Sequence, residues 1–374
     1  MSQSTKRGQK KSRKGCGICK IRKIKCDEEI PCRNCVKHRV ECDFLTVAPS
    51  ESPPGINSSL VGGSLPDLNL KDIELFHHYC TSTSQSMWTN PLLRIFWRIQ
   101  VPHIGLTYQF VMRGILSMAA LHMAYLNPNK KDVYLPYSMH HQQQAMKEVM
   151  EILPNVTTEN CTALHLFSIL NCCHILGRPR EKEDFLIVGN SGISQWLVLF
   201  RGVLGFIEPY QDALDRGPLS AIISVRKQRQ RERESCISQS KGDYLGDLRR
   251  HVLGSTMDEQ HSKVYSDNIN ELEKSFIFIY TSTDYVYEMG DVFNYLMMSS
   301  HEYLLLLSDG TQQALTIFAY ACVLFHKLEH FWWMEGWSHH LMNNIWQFLD
   351  QEHRQLVTWV VQEIGWSPPQ TADA

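Results

Sequence analysis

The sequence predicts an all-α protein of two unequal parts, a small metal-nucleated module at the N-terminal end and a large helical bundle behind it. Three observations carry that expectation. Six of the twelve cysteines crowd into residues 16–42 at a duplicated spacing. Seven prolines and glycines (Pro49, Pro53, Pro54, Gly55, Gly62, Gly63 and Pro66) then interrupt residues 43–66, which forbids a long helix there. From Asp67 to Trp366 apolar residues recur at helical spacing, and the alternating runs that mark strands are scarce.

Residues 1–15 (with STKRGQKKSRKG inside them) are polar and basic and have nothing to bury, so they are read as a disordered arm. The arm is part of a charge asymmetry that the whole-chain balance of −2 hides. Of 37 Lys+Arg and 39 Asp+Glu, 13 and 5 fall in Met1–Asp43, an excess of eight positive charges. The other 24 and 34 leave the rest of the chain ten negative. One end suits a polyanion and the rest does not.

The cysteines of residues 16–42 are Cys16, Cys19, Cys26, Cys32, Cys35 and Cys42. Their spacing is C-x2-C-x6-C, five residues, and C-x2-C-x6-C again. A C-x2-C pair grips one metal because a short turn brings both sulfurs to one side, and zinc prefers four thiolates in a tetrahedron. One ion would leave two cysteines idle. Two ions need eight sulfur positions, which six sulfurs supply if two are shared, so the duplicated pattern fits two Zn²⁺ better than one. Twenty-seven residues cannot bury enough apolar surface to fold alone. Metal binding provides the missing free energy, on the order of 10 kcal/mol or more for a structural site. Such sites are closed, and are structural rather than catalytic.

The run CGICKIRKIKCDEEIPCRNCVKHRVEC resembles, without a gap, the fungal binuclear zinc-cluster family of transcription factors, which includes the galactose regulator of yeast. The resemblance implies that Cys16 and Cys32 bridge the two ions. It also implies that the basic run after the second cysteine, with Lys20, Arg22, Lys23 and Lys25, sits on a short helix that enters the DNA major groove. Pro31 stands where the family has a proline before its fourth cysteine. The chemistry agrees. Lys and Arg release counterions on meeting phosphate, which supplies affinity without sequence choice. Arg or Lys donating to guanine O6 and N7 supplies the choice. Arg22 and Lys23 are the expected base contacts, Lys20 and Lys25 the phosphate contacts, and double-stranded DNA with a CGG-like triplet the expected partner. Six thiolates and two Zn²⁺ leave the metallated module at about +6. Beside such a module Lys6, Arg7, Lys10, Lys11, Arg13 and Lys14 read as a nuclear localisation signal or an added phosphate grip, which places the protein in the nucleus.

The long region reads as one helical domain, residues 67–366, followed by a short tail, 367–374. Val111, Ile115, Met118, His122 and Tyr125 fall at 4-3-4-3 spacing, and Phe110, Leu116 and Leu121 lie off that stripe, so the helix is expected to be buried most of the way round. Ala163, Leu166, Leu170 and Cys173 repeat the pattern, with Thr157 or Thr158 as N-cap and Gly177 as stop. Leu341, Ile345 and Phe348 continue it. The polar stretch Arg226–Ser262 reads as a long exposed insert. The longest nearly apolar stretch, Ala314–Phe325, is too short to span a membrane and Thr316 interrupts it. No secretory signal is legible, and the cysteines are expected to be thiols or metal ligands of a soluble intracellular protein.

DLNLKDIELFHHYCTSTSQSMW, FVMRGILSMAALHMAYLNP and HFWWMEGW resemble the regulatory domain of the yeast sterol-uptake control regulators. That likeness implies a helical bundle around an apolar ligand pocket, hence an apolar small-molecule effector, and a regulon in sterol, lipid or secondary metabolism. The plainer reading is that Phe331, Trp332, Trp333, Met334 and Trp337 pack a core. The His77-His78, His140-His141 and His339-His340 pairs diverge by about 100° on a helix and cannot share a metal. Cys80, Cys161, Cys172, Cys173, Cys236 and Cys322 lack ligand spacing. No nucleophile elbow, P-loop or dinucleotide fingerprint is present, so the chain is not read as an enzyme. The first reading is thus a sequence-specific regulator of RNA polymerase II genes. The alternative is a ligand-binding helical protein or enzyme with a purely structural cluster. Residues 43–66 cannot form a dimerising heptad helix, so the protein either binds as a monomer or forms a homodimer through the helical domain.

Overall fold

The computed structural model describes residues 15–29, 31–38, 40, 42–43, 69–189, 192–240, 242–282 and 287–369. The cysteine-rich segment holds two short helices, α1 (Gly17–Ile21) and α2 (Arg33–Lys37). The helical region opens with α3 (Leu70–His78), which passes through a π-helical turn (Tyr79–Thr83) into α4 (Ser84–Ser86). Then come α5 (Pro91–Thr107), α6 (Gln109–Leu126), α7 (Lys131–Ile152), α8 (Cys161–Gly177), α9 (Gln195–Ile207) and α10 (Gln211–Arg216). They are followed by α11 (Ser220–Gln239), α12 (Gly246–Gly254) and α13 (Glu259–Thr281). The last are α14 (Met289–Met298), α15 (His301–Ser308), α16 (Gln312–His326), α17 (Trp337–Phe348), α18 (Gln351–Leu356) and α19 (Thr358–Glu363). Among the described residues the only strands are β1 (Val188–Gly189) and β2 (Gly192–Ile193), an antiparallel pair. The all-α expectation holds.

Several helices begin where a side chain accepts from their free N–H groups. Asn69 Oδ1 accepts from Lys71 N and Asp72 N at the start of α3. Asn90 Oδ1 accepts from Leu92 N and Leu93 N at the start of α5, with Pro91 at the first helical position where its missing N–H costs nothing. Asp258, Ser300 and Asp350 do the same for α13, α15 and α18.

Two groups of helices pack into one core. α6 lies against α5, α7 and α8, and is buried nearly all round, as its sequence implies. α16 lies against α13, α17, α18 and α19, and every residue from Ala314 to Phe325 is buried. That stretch is therefore the centre of a globular core. Each large apolar side chain in it contributes roughly 1.5–3 kcal/mol of burial free energy. Thr316 fits because its hydroxyl donates to Gln312 O of the preceding turn at 2.7 Å.

Four expectations need correction. α8 starts at Cys161 with Asn160 as its N-cap, three residues after Thr157. Thr157 Oγ1 instead accepts from Glu159 N and Asn160 N, so it shapes the turn before the helix. Tyr125 and Phe348 are exposed rather than core. The Arg226–Ser262 stretch is not a loose insert. It forms most of α11, then α12 and the start of α13. Arg229 turns inward to pair with Asp291 at 2.5 Å and to lie over the Phe278 ring. Arg233 follows one turn later, donating to Asp291 O and lying over the same ring. A helix this polar still packs because its arginines bury their stems and find acceptors.

The adjacent histidines split in each pair. His77, His140 and His339 are exposed, while His78 reaches His122 (Nε2···Nδ1 3.2 Å) and His141 reaches Asp72 (3.2 Å). His340 Nε2 meets Asp184 O at 2.8 Å.

Candidate metal centre and nucleic-acid interface

The six N-terminal cysteines are all buried and form a small core of their own, with Ile18 and Val40 beside them. Their sulfurs fall into two overlapping sets of four. Cys16, Cys19, Cys26 and Cys32 make one, and Cys16, Cys32, Cys35 and Cys42 the other. The two cysteines in both sets, Cys16 and Cys32, are those that the family resemblance assigns as bridges. Four thiolates about 2.3 Å from one zinc in a tetrahedron sit about 3.8 Å apart. Cys16 Sγ is 3.7 Å from both Cys32 Sγ and Cys35 Sγ, and Cys19 Sγ is 3.5 Å from Cys32 Sγ. The cage therefore has zinc dimensions. Its electrostatics ask for a cation as well. Burial pushes the thiols of Cys16, Cys19 and Cys35 upward, whereas at Cys32 burial is outweighed by hydrogen bonds from Cys35, Cys19 and Cys16, which pull the thiol down to about 7. A coordinated divalent ion reverses the upward shifts and stabilises the thiolates.

The duplication seen in the spacing is also structural. Cys16 Sγ accepts from Cys19 N at the start of α1, and Cys32 Sγ accepts from Cys35 N at the start of α2, both at 3.4 Å. Each sulfur is thus an N-cap as well as a metal ligand. At the other end Ile24 N donates to Cys19 O, and Val40 N donates to Cys35 O, at 3.0 and 3.1 Å. The first of these closes a Schellman turn, completed by Lys23 N donating to Lys20 O. Lys23 occupies the left-handed position of that turn, with φ 58°, where glycine is usual.

Lys20, Arg22, Lys23 and Lys25 are all exposed. Only Lys20 lies within α1. The helix ends at Ile21, Arg22 is its C-cap, Lys23 forms the turn and Lys25 follows outside any helix or strand. The basic run is therefore a helix end and its exit rather than one helical face. Lys6, Arg7, Lys10, Lys11, Arg13, Lys14 and the linker from residue 44 lie outside the described residues.

Two residues that the sequence did not single out hold this surface in place. Asp43 accepts from Gly17 N at 2.6 Å and Ile18 N at 3.4 Å, tying the chain after the last cysteine to the start of α1. Although its burial opposes ionisation, those N–H bonds hold its carboxyl below the usual range. Gly17 makes the approach possible, since a Cβ there would stand 2.5 Å from Asp43 Oδ2. Asn34 on α2 donates Nδ2 to Lys25 O at 2.6 Å, linking the second half of the module to the basic segment of the first. A polar residue next to a ligand cysteine was the one available signal, and it is too common to stand out.

In the helical region the Trp-rich turn splits. Phe331, Trp333, Met334 and Trp337 are core, and Trp337 Nε1 donates to Leu176 O at 2.6 Å. Trp332 is half-buried, stacks on His122 with ring centres 4.7 Å apart, and donates Nε1 to Ser86 Oγ. It lies between two cavities of about 600 and 340 Å³. Among the described residues no helix is long and apolar enough to cross a membrane.

Comparison with known proteins matches the fungal Zn(2)-Cys(6) binuclear cluster domain to residues 14–52 and the fungal specific transcription factor domain to residues 74–274, the second covering more than half of the chain. A Zn(2)-C6 fungal-type transcription factor of Aspergillus fumigatus, afumD, is 29% identical over 205 residues, 52% of this chain and 53% of that protein. A Zn(2)-C6 fungal-type transcription factor of Gibberella zeae is 30% identical over 230 residues, 44% of this chain and 46% of its own. Sterol uptake control protein 2 of Saccharomyces cerevisiae is 24% identical over 168 residues, 42% of this chain and 17% of the yeast protein. The chain thus spans about half the length of the first two relatives. With a six-sulfur cage of zinc dimensions and a helical region that matches over more than half of the chain, this protein belongs to the fungal-specific transcription factors and carries a fungal Zn(2)-Cys(6) cluster domain that binds two zinc ions.

Proposed function

We propose that the chain is a sequence-specific, DNA-binding regulator of RNA polymerase II genes that acts in the nucleus and is not an enzyme. The observation that carries the reading is the zinc cage with four exposed cations, Lys20, Arg22, Lys23 and Lys25, around the end of α1. In this reading Arg22 and Lys23, at the tip of the turn, meet guanine edges of a CGG-like triplet. Lys20 and Lys25 hold phosphates on either side. The basic arm, with Lys6, Arg7, Lys10, Lys11, Arg13 and Lys14, directs nuclear entry and adds phosphate contacts. The helical part controls when binding occurs, through an apolar effector, through a homodimer, or both. Resemblance to a sterol uptake control protein supports target genes in sterol, lipid or secondary metabolism.

The test is binding of the full chain to a pool of random duplexes, with and without a zinc chelator, followed by sequencing of the retained DNA. Zinc-dependent retention of a guanine-rich triplet is expected. Binding that ignores the chelator, or no binding at all, would favour a helical ligand-binding protein or enzyme whose cluster is only structural.

A further inference from the structure

We propose that the smaller cavity beside Trp332 is a binding site for a hydrophobic carboxylic acid, with its apolar body inside and its carboxylate at the edge. The inference rests on the effector reading above and adds the ligand's chemistry. The cavity, about 340 Å³, opens between the C-terminal ends of α6 and α8 and the start of α7. That is within the size range of small-molecule sites.

Its inner wall is apolar. Leu121, Leu176 and Trp333 line it and are all buried. Its edge is cationic, with Lys131, Arg178 and Arg180 all lining it and all exposed. One carboxylate, Glu335, shares the edge, and it is engaged by the Tyr125 hydroxyl, which donates to it at 2.6 Å. Three positive charges and one carboxylate thus line the opening, and Asp184, beside Arg178, adds a second negative charge next to it.

The three cations differ in what they already hold. Arg178 Nη2 lies 3.6 Å from Asp184, at the long limit of an ion pair. Lys131 pairs with no carboxylate among the described residues. Arg180 donates Nη1 to the backbone carbonyl of Glu335 at 2.6 Å and lies over the Trp337 ring at 5.2 Å. A carbonyl and a π face hold a guanidinium in position without neutralising it. A bound carboxylate would add charge-assisted hydrogen bonds to Arg180 and Lys131, while the apolar body covers Leu135 and Trp332, the partly buried apolar side chains of the lining. A neutral lipid of the same size would gain only the second part. Closeness of the walls is built in, since a Cβ on Gly177 would stand 3.1 Å from Leu121 Cδ2 and from Trp333 Cβ.

The experiment titrates the full chain with dodecanoate and with dodecanol, by calorimetry and by tryptophan fluorescence. Dodecanoate is expected to bind about tenfold more tightly than the alcohol, a difference of about 1.4 kcal/mol. The double variant Lys131→Gln, Arg180→Gln should abolish that preference while leaving dodecanol affinity unchanged. Equal affinity for acid and alcohol overturns the proposal, as does an acid preference that survives in the double variant. The same samples are assayed for zinc-dependent DNA binding. No dodecanoate binding with DNA binding intact removes this site alone, whereas loss of DNA binding counts against the regulator reading itself.

Discussion

Residues 16–43 and the region from α3 onward reach a fixed structure by opposite routes. In the first, the interior is six sulfurs, the helices are five residues long, and even the helix caps are metal ligands. In the second, helices of up to 23 residues bury large side chains such as Trp97, Trp333, Trp337 and Phe318 in a continuous core. A short chain obtains cohesion from a few strong bonds to an ion. A long one obtains it from many weak contacts, each worth a small share. The two parts should therefore answer to different perturbations, and experiments can separate them.

The largest effect is expected from Cys32→Ser. Cys32 belongs to both sulfur sets, so the variant should lose both ions and the whole of the metal-derived stabilisation, on the order of 10 kcal/mol per site. Zinc content read by mass spectrometry should fall from two to none, while the calorimetric melt of the helical region stays in place. Retention of one tightly bound ion would contradict the sharing of sulfurs.

Trp337→Ala is the converse. It removes a fully buried indole and leaves Leu176 O without its donor, at a cost of about 3–5 kcal/mol to the helical region. Denaturant melts should show that loss with two zinc ions still bound. If the melt shifts and zinc is released together, the two parts are one cooperative unit.

Acid offers a third separation. Burial holds His122, next to His78, at about 4, and burial together with the nearby Arg178 holds His174 at about 4. Both are depressed below the ordinary value of about 6.5, so each must charge on unfolding before it charges in place. The stability they contribute is complete above about pH 6.5 and is lost as pH falls through about 4. By pH 5 each should have given up roughly 2 kcal/mol. Urea melts of His174→Gln should be less sensitive to pH between 6.5 and 4 than those of the parent chain.

The smallest effect is within the module itself. Lys23→Ala should relax the choice of base by about 1–3 kcal/mol, and Lys25→Ala should weaken all duplexes alike and lower the salt dependence by about one counterion. Both should leave zinc content unchanged. Since Lys23 and Ala share the same unfavourable left-handed backbone, the first comparison is free of a backbone contribution. Equal loss on every sequence for both variants would remove the assignment of roles.

How much of this was legible in the sequence also differs between the two parts. The six ligands were readable because sulfur–metal chemistry tolerates few spacings, and the family resemblance supplied Cys16 and Cys32 as the bridges. The residues that steady the cage were not. Asp43 and Gly17 meet across 26 positions, and nothing local announces the contact. In the helical region, periodicity located α6 and α8. It failed where polarity and burial part company. The Arg226–Ser262 stretch reads as solvated by composition, and the structure turns Arg229 and Arg233 onto Phe278 and Asp291, partners that lie some 45–62 positions later. Phe348 fits the apolar stripe yet lies largely open at the end of α17, and it is the next residue, Leu349, that enters the core. The cavity beside Trp332 could not be read at all, since it is made by the ends of separate helices.

Neither zinc ion has a site of its own, because Cys16 and Cys32 lie in both sets of four. The first ion to arrive must bring both halves of the module together, and so it builds most of the second site. A half-loaded molecule should be scarce at equilibrium, and the fraction able to grip a duplex should rise as a steep function of free zinc rather than a gradual one. The shared sulfurs thus tie the loading of one site to the loading of the other.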